Sequence, residues 1–211
     1  MRRRRFIEGC AALLVAAPVL AQNALDEFAV DVRNDRVDAV RAALARGMDA
    51  NAVARDGWPM LAIAAREGNL RTVEALLAAG AKADVRNPFG DSPLMLASLV
   101  GHLEVAKRLR GKGARLDHAG WTPLIYAATG GHDGVVRYLL AEGANIDARA
   151  PNGTTALMMA VREGRYDTAL LLIERGADVS VVNDDGATAL AWALRAEDRL
   201  LVERLRKAGA R

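Results

Sequence analysis

Glycines recur along this chain at a fixed interval, and this period restricts the possible fold more than any other feature. One series ends the leucine-rich segments and consists of Gly47, Gly80, Gly113, Gly143, Gly176 and Gly209. Its intervals are 33, 33, 30, 33 and 33 residues. A second series with the same spacing consists of Gly57, Gly90, Gly120, Gly153 and Gly186. Self-similarity at this period predicts a stacked repeat protein, in which each unit packs on its neighbours.

The segment 120–144, GWTPLIYAATGGHDGVVRYLLAEGA, shows what one unit is made of. Thr122 is suited to cap a helix, and Pro123 is tolerated in the first helical turn, where no N–H group is needed. An apolar stripe follows, and Gly130 and Gly131 end this first helix. A second apolar stripe ends at the next glycine of the series. The polar stretch ANIDARAPN then predicts a hairpin-like finger.

These residues resemble the ankyrin repeat family. The resemblance rests on Gly120-x-Thr122-Pro123-Leu124, Ala127-Ala128, Gly131-His132, Val135-Val136, Leu139-Leu140 and Gly143-Ala144, and on four further copies of the pattern. It covers essentially all of 26–211. The resemblance implies an all-α solenoid of helix-turn-helix units with projecting β-hairpin-like fingers. It implies binding through the finger tips and the exposed, concave face of the first helices.

The repeat pattern divides the chain into a leader and one ankyrin repeat domain, 22–211. The predicted units are a degenerate N-terminal cap 26–56, repeats 57–89, 90–119, 120–152 and 153–185, and a C-terminal capping repeat 186–211.

Three departures from the family pattern are visible. The histidine that usually follows Thr-Pro-Leu is absent from every copy. Pro59 and Met60 replace Thr-Pro, so that helix lacks a hydroxyl cap. Gly120 follows Gly113 by seven positions, whereas the corresponding glycines elsewhere are ten positions apart. The finger ARLDHAG is therefore three residues short, and we predict a notch in the row of fingers there.

The first 21 residues, MRRRRFIEGCAALLVAAPVLA, differ from the repeats. Four arginines precede a short apolar run and small residues, as in a cleavable signal peptide. A membrane anchor is the alternative, but the run is shorter than the roughly 20 residues of a spanning helix. The segment Arg3-Arg4-Arg5-Phe6-Ile7 also resembles a twin-arginine export signal, and the choice between the two export routes stays open. We expect a bacterial protein exported to the periplasm, with no membrane span after cleavage.

Charge argues against nucleic acid as a partner. The chain carries 29 basic and 26 acidic residues, a formal net charge of +3, and the leader holds four arginines and one glutamate of these. The remainder has 25 of each sign and is neutral, so the basic balance belongs to the leader. The densest basic run, from Lys107 to Arg115, is either an anion or nucleic-acid patch or, as we favour, the solvated face of an outer helix.

No catalytic or metal-binding constellation is apparent. After the leader, which holds the single cysteine, only three serines and three histidines remain. Ser92 is expected to be a helix cap, and His102 and His132 match the family's Gly-His turn. No spacing fits zinc, so we expect no enzyme, metal or cofactor. The remaining alternative is a small-ligand binder or enzyme that uses His118, Asp117 and the notch.

The expected function is a protein-binding scaffold. Aligning the copies places the candidate contacts on finger tips and first-helix ends: Arg55, Trp58, Phe89, Asp91, His118, Trp121, Arg66, Leu99, Val100 and Arg162. Three of them, Trp58, Phe89 and Trp121, are expected to be exposed, either as an interface or folded onto neighbouring fingers. Trp192 is expected in the core. The partner is a protein of unknown identity, and the chain is expected to be a monomer. A secreted effector or a toxin-neutralising, immunity-type protein is the alternative.

Overall fold

A computed structural model describes residues 22–211, and these form twelve helices in six pairs. The predicted signal peptide, 1–21, lies outside the described residues. The helices are α1 (22–33), α2 (Val37–Ala45), α3 (Met60–Glu67), α4 (Leu70–Ala78), α5 (Pro93–Val100), α6 (Leu103–Arg110), α7 (Pro123–Gly130), α8 (Asp133–Ala141), α9 (Ala156–Arg162), α10 (Tyr166–Glu174), α11 (Ala189–Arg195) and α12 (Arg199–Lys207).

The pairs stack in one direction. Two or three residues join the helices of a pair, a length that makes them antiparallel neighbours. The first helices α3, α5, α7, α9 and α11 contact one another in that order, and so do the second helices from α2 to α12. The predicted all-α solenoid is confirmed. Within 22–211 the only paired extended residues are Val53 and Pro59, so the fingers are turns rather than strands.

The core is continuous through the stack, both between the two helices of a pair and between successive pairs. Leu124, Val136 and Leu139 of the fourth unit are at most 1 % exposed. Burying such a side chain stabilises the fold by about 1.5 to 3 kcal/mol. Ala127 and Ala128 are fully buried as well, and their small side chains let neighbouring first helices approach closely. Each stripe is therefore covered only because another unit lies against it.

Hydroxyl caps begin most of the first helices, as the sequence predicts. Oxygens of Ser92, Thr122, Thr155 and Thr188 each accept a hydrogen bond from the backbone N–H three residues later. Pro59 precedes α3 and makes no side-chain cap. The missing cap expected there is thus confirmed.

In four of the units, a side chain after the first helix joins the unit to the preceding one. The imidazole Nε2 atoms of His102 and His132 lie 3.1 Å from the Arg66 carbonyl and 2.9 Å from the Leu99 carbonyl. Other residues do the same in neighbouring units, with Asn69 donating to the Val32 carbonyl and Arg165 to the Thr129 carbonyl. These contacts satisfy carbonyls at a helix end that would otherwise lack partners. The structural role predicted for His102 and His132 is confirmed.

Two adjacent buried threonines provide a test of the capping role. Thr155 Oγ1 accepts from the Met158 N–H, whereas Thr154 Oγ1 has no hydrogen-bond partner within the described part of the chain. Thr155→Val should lower the free energy of unfolding by about 1 kcal/mol, because it removes the cap. Thr154→Val is the matched control and should leave stability unchanged or raise it, because the lost hydroxyl made no bond. Urea denaturation measures both, and equal losses would contradict the assignment.

Candidate functional site

The bases of the fingers form a ladder that passes through every internal unit. One carboxylate or amide oxygen per finger accepts the backbone N–H of a residue in the next finger. The pairs are Asn51 with Lys82 at 2.9 Å, Asp84 with Arg115 at 3.0 Å, Asp117 with Asn145 at 3.4 Å, and Asp147 with Asp178 at 2.9 Å. Asp117 belongs to the short finger, so the missing residues do not interrupt the ladder.

The tips differ, because the short finger lacks the bonds that close the others. In the four long fingers a backbone N–H donates to the carbonyl four residues later, from Ala54, Asn87, Ala150 and Asn183. No bond of this kind is found in 114–120, within the part of the chain that the structure describes. The three residues are missing after Asp117, in the tip itself. The short finger therefore keeps its hydrogen bond to the next finger at the base but lacks the turn at its tip.

The space beside the second finger, 87–91, is the predicted notch. A Cβ atom on Gly57 would lie 2.7 Å from Pro88 in the next finger, and one on Gly120 would lie 3.4 Å from Pro151. A Cβ atom on Gly90 would meet nothing within 4 Å. The long finger at Gly90 therefore has no tip beside it. This confirms the notch, which lies between residues 87–91 and the short finger 114–120.

Phe89 stands at the edge of the notch and is 78 % exposed. Its ring meets Trp58 edge to face, with the ring centroids 6.3 Å apart. Arg66 belongs to the same unit as Trp58, and its guanidinium lies 5.3 Å from the centre of the Trp58 ring. Trp58 is half-buried against the core, so its expected exposure is wrong. The ring is covered because the core, Phe89 and Arg66 each contact part of it.

Trp121 is also half-buried rather than exposed, for a similar reason. Its ring packs on the core and meets Tyr126 at 87°, with centroids 6.0 Å apart. The Tyr126 hydroxyl donates to the Asp91 carboxylate of the preceding unit. Burial, and then this bond, raises the pKa of Tyr126 well above its usual value. Asp91 is half-buried and also accepts a bond from the Asn87 side chain, so it fixes the second finger.

Tyr126 is a surface residue that the sequence analysis did not select. It occupies the position that Ile63, Leu96 and Met159 hold in other units, where they are buried. The last unit has Trp192 at the same position, so the available signal was a hydroxyl-bearing aromatic where three of the other four copies are aliphatic. Its contact with Asp91, 35 positions earlier, could be seen only in the structure.

The ends of the first helices form the second part of the surface. Leu99 is 36 % and Val100 43 % exposed, as expected from their positions. Thr129 and Gly130 hold the same positions on the next unit and add no charge. Charged pairs occupy these positions on the units to either side: Arg66 and Glu67, and Arg162 and Glu163. We call the finger tips and first-helix ends together the finger-side face; its centre is apolar and its rim is charged.

The remaining arginines of the candidate set lie on the rim. Arg55 pairs with Asp26 at 2.5 Å, and Arg162 pairs with Glu163 at 3.0 Å. The Arg162 guanidinium also lies 5.9 Å from the centre of the Trp192 ring. Trp192 is half-buried rather than part of the core, because the last unit has no further unit packed on it within the described residues.

His118 lies at the floor of the notch. Its Nδ1 atom contacts the Arg86 guanidinium, and its Nε2 atom is buried without a partner in the described residues. Arg86 can only donate, so Nδ1 accepts and the ring is neutral with its proton on Nε2. Burial and then the charge of Arg86 lower the pKa of His118 below 6.5; Arg115 lowers it too, while Asp84 opposes the shift.

Other surfaces carry ordinary solvated charges. In the basic run, Lys107 pairs with Glu104 at 2.7 Å, Arg110 with Glu142 at 3.3 Å, and Arg108 with Glu74. These pairs match a solvated outer face. Across 22–211, no group of three or more His, Asp or Glu side chains is placed to hold a metal ion. None of the described helices is long and apolar enough to cross a membrane.

A family model described as ankyrin repeats matches residues 27–119, 61–150, 95–183 and 149–211. The chain belongs to the ankyrin repeat family. Among solved structures it is similar to the ankyrin repeat domain of human ASB11, with 27 % identity and a TM-score of 0.81 over 87 % of this chain and 84 % of that one. No curated protein matches the chain.

A second similar structure is an ankyrin repeat domain from Acinetobacter baumannii AYE. It is 30 % identical, with a TM-score of 0.77 over 88 % of this chain and 98 % of that one. Ankyrin repeats indicate a protein–protein interaction scaffold, and the fold is typically non-enzymatic. The finger-side face is thus the ankyrin surface on which a partner is to be sought.

Two glycines test whether the notch is open in solution. Gly57 and Gly90 have φ angles of 81° and 86°, so an alanine at either position costs about 1 to 2 kcal/mol of backbone strain. Gly57→Ala should cost about 1 kcal/mol more than Gly90→Ala, because its Cβ atom would also collide with Pro88. Chemical denaturation compares the two variants. Equal losses would show that the second finger is covered like the others.

His118 gives the protein a predicted pH dependence. Because the folded pKa lies below the unfolded value of 6.5, the unfolded chain binds more protons as the pH falls through and below that value. Wild type should therefore lose more stability between about pH 7 and pH 5 than His118→Gln, whose carboxylates are the same. Thermal midpoints of both proteins at each pH measure this difference. Parallel losses would mean that His118 titrates normally.

Proposed function

We propose that this ankyrin repeat protein is a non-catalytic scaffold that binds a protein partner through the finger-side face. The observation that carries the proposal is the exposed apolar centre of that face, with Phe89 on a finger and Leu99 and Val100 on the next helix end. Isolated exposed apolar residues are ordinary, whereas a group of them inside a charged rim is typical of a protein interface.

Phe89 has the most exposed apolar side chain that a partner could bury on this face. Its ring is 78 % exposed although the finger that carries it is held by hydrogen bonds at Asn87 and Asp91. A rigid, exposed aromatic side chain loses little conformational entropy on binding, and such residues are common among binding hot spots. Full burial of the ring would contribute about 1.5 to 3 kcal/mol.

Trp58 and Trp121 support the same surface from beneath. Each is half-buried and meets another ring edge to face, Phe89 and Tyr126 respectively. Their truncation would disturb packing as well as binding, so they are poor probes of an interface. Leu99 and Val100 are better probes because they end α5 and more than a third of each side chain is exposed.

The proposal places the protein in the bacterial periplasm as a monomer with no nucleic-acid partner. It draws on the leader pattern of residues 1–21 and on the neutral balance of the remaining chain. A secreted effector, or a protein that neutralises a toxin, would use the same surface at a different location. A small-ligand or enzymatic role at His118 has less support, because no second acid–base group bonds to its buried Nε2 atom in the described residues.

The test is affinity capture from separate periplasmic, cytosolic and medium fractions, on columns of wild type, Phe89→Ala, Leu99→Ala/Val100→Ala and Leu200→Ala. Leu200 is 63 % exposed on α12, away from the fingers, and is the matched control. We expect a periplasmic protein that binds wild type and Leu200→Ala alike. Both finger-side variants should raise its Kd about tenfold or more, equivalent to about 1.4 kcal/mol, while thermal midpoints stay close to wild type.

Other outcomes separate the alternatives. A partner found only in the medium or in extracts of target cells favours the effector. A partner that binds all four columns with the same affinity would show that the finger-side face is not the binding surface. Loss of stability in Phe89→Ala would mean that the ring is structural.

A further inference from the structure

Arg86 is held in place at the notch by three different parts of the chain. Its Nη1 atom donates to the Gly90 carbonyl at 2.5 Å and lies 3.6 Å from the Met95 sulfur. Its Nη2 atom contacts Nδ1 of His118 on the short finger. The side chain is exposed to solvent yet fixed, so little of its rotamer freedom remains to be lost on binding.

The equivalent arginine in the next long finger shows what the notch changes. Arg149 follows Gly143 by six residues, as Arg86 follows Gly80. The Nη2 atom of Arg149 donates to the Val182 carbonyl of the adjacent finger at 2.6 Å. The finger that contains Val182 has the full length of ten positions between its glycines. The finger next to Arg86 has lost its tip, and its His118 takes the place of the carbonyl.

Arg86 also lacks a counter-ion. Within residues 22–211, no carboxylate lies within 4.0 Å of its guanidinium, whereas Arg33, Arg55 and Arg162 on the same face each pair with one. Two carboxylates of the same finger are engaged by other groups. Asp84 accepts the Arg115 N–H, and Asp91 accepts bonds from Tyr126 and Asn87.

Donor geometry leaves room for a ligand. A guanidinium has five N–H groups, and the three contacts of Arg86 use two on Nη1 and one on Nη2. The two that remain lie on Nε and Nη2, and two N–H groups are what a carboxylate engages. Beside them, Phe89 supplies an exposed apolar wall, and the missing finger tip leaves the space for a loop.

We propose that the notch receives a loop of the protein partner that carries an acidic side chain, whose carboxylate pairs with Arg86 while an adjacent apolar side chain packs on Phe89. This inference rests on the proposed function and identifies the chemistry that the face selects. Charge complementarity carries it, because the fixed arginine has no carboxylate of its own. His118 contributes as a neutral acceptor that holds the guanidinium toward the opening.

The test uses a displayed library of random linear peptides as the probe, against protein purified from cells that express the full sequence. Enriched peptides should carry Asp or Glu next to an aromatic or aliphatic residue. A synthetic copy of one such peptide should bind Arg86→Gln about tenfold or more weakly than wild type. Arg149→Gln is the matched control and should leave the Kd unchanged, since its guanidinium serves the next finger.

Charge reversal provides a second measurement. A fresh selection against Arg86→Glu should enrich Lys or Arg in place of the acidic residue, and circular dichroism should show that both Arg86 variants keep the helical fold. Enriched peptides without acidic residues, or equal affinity for wild type and Arg86→Gln, would overturn the inference. So would a library that enriches nothing.

The same experiment separates this inference from the proposed function. Peptides that lose affinity with Phe89→Ala but not with Arg86→Gln would reject the role of Arg86 and leave the finger-side face as the binding surface. Peptides indifferent to both variants would count against both proposals.

Discussion

Stacking of one unit on the next is the interaction on which the rest of this protein depends. A pair of short helices cannot bury its own apolar stripe, so each pair is stable only between neighbours. The buried alanines of the first helices permit the close approach, and His102 and His132 bond to the preceding helix end across it. Side chains that serve these contacts are unavailable for binding, which leaves the finger tips and helix ends for function.

The short finger shows how such an array tolerates a deletion. Three residues are missing after Asp117, yet Asp117 still bonds to the next finger at its base. The stack is therefore continuous beneath the gap. The consequence is local: Gly90 has no neighbouring tip, and Arg86 meets His118 instead of a carbonyl. Deletion of three residues from one finger tip leaves the hydrogen bonds at the finger bases intact. The row of similar fingers thereby acquires one notch, beside Gly90.

The candidate binding surface combines rigidity with incomplete burial. The second finger is fixed by Asn87 and by the bond from Tyr126 to Asp91, while Phe89 at its tip stays exposed. Two tryptophans lie beneath and beside it as packed support. An interface of this kind loses little conformational entropy when a partner binds, because its side chains are already ordered by contacts across units.

The glycine period predicted a stacked repeat array and the place of the notch, and the hydroxyl residues before the first helices predicted their caps, because these features depend on residues close together in the chain. The resemblance to ankyrin repeats then implied the all-α solenoid. The finger and helix-end positions of Phe89, Leu99 and Val100 followed from the same alignment. Only the tertiary structure decided that Trp58 and Trp121 are half-buried, that Tyr126 bonds to Asp91 and that Arg86 rests on His118. The contacts of Trp58 with Phe89, Tyr126 with Asp91 and Arg86 with His118 each join residues about one repeat apart. The repeat period does not specify which side chains pack together between units.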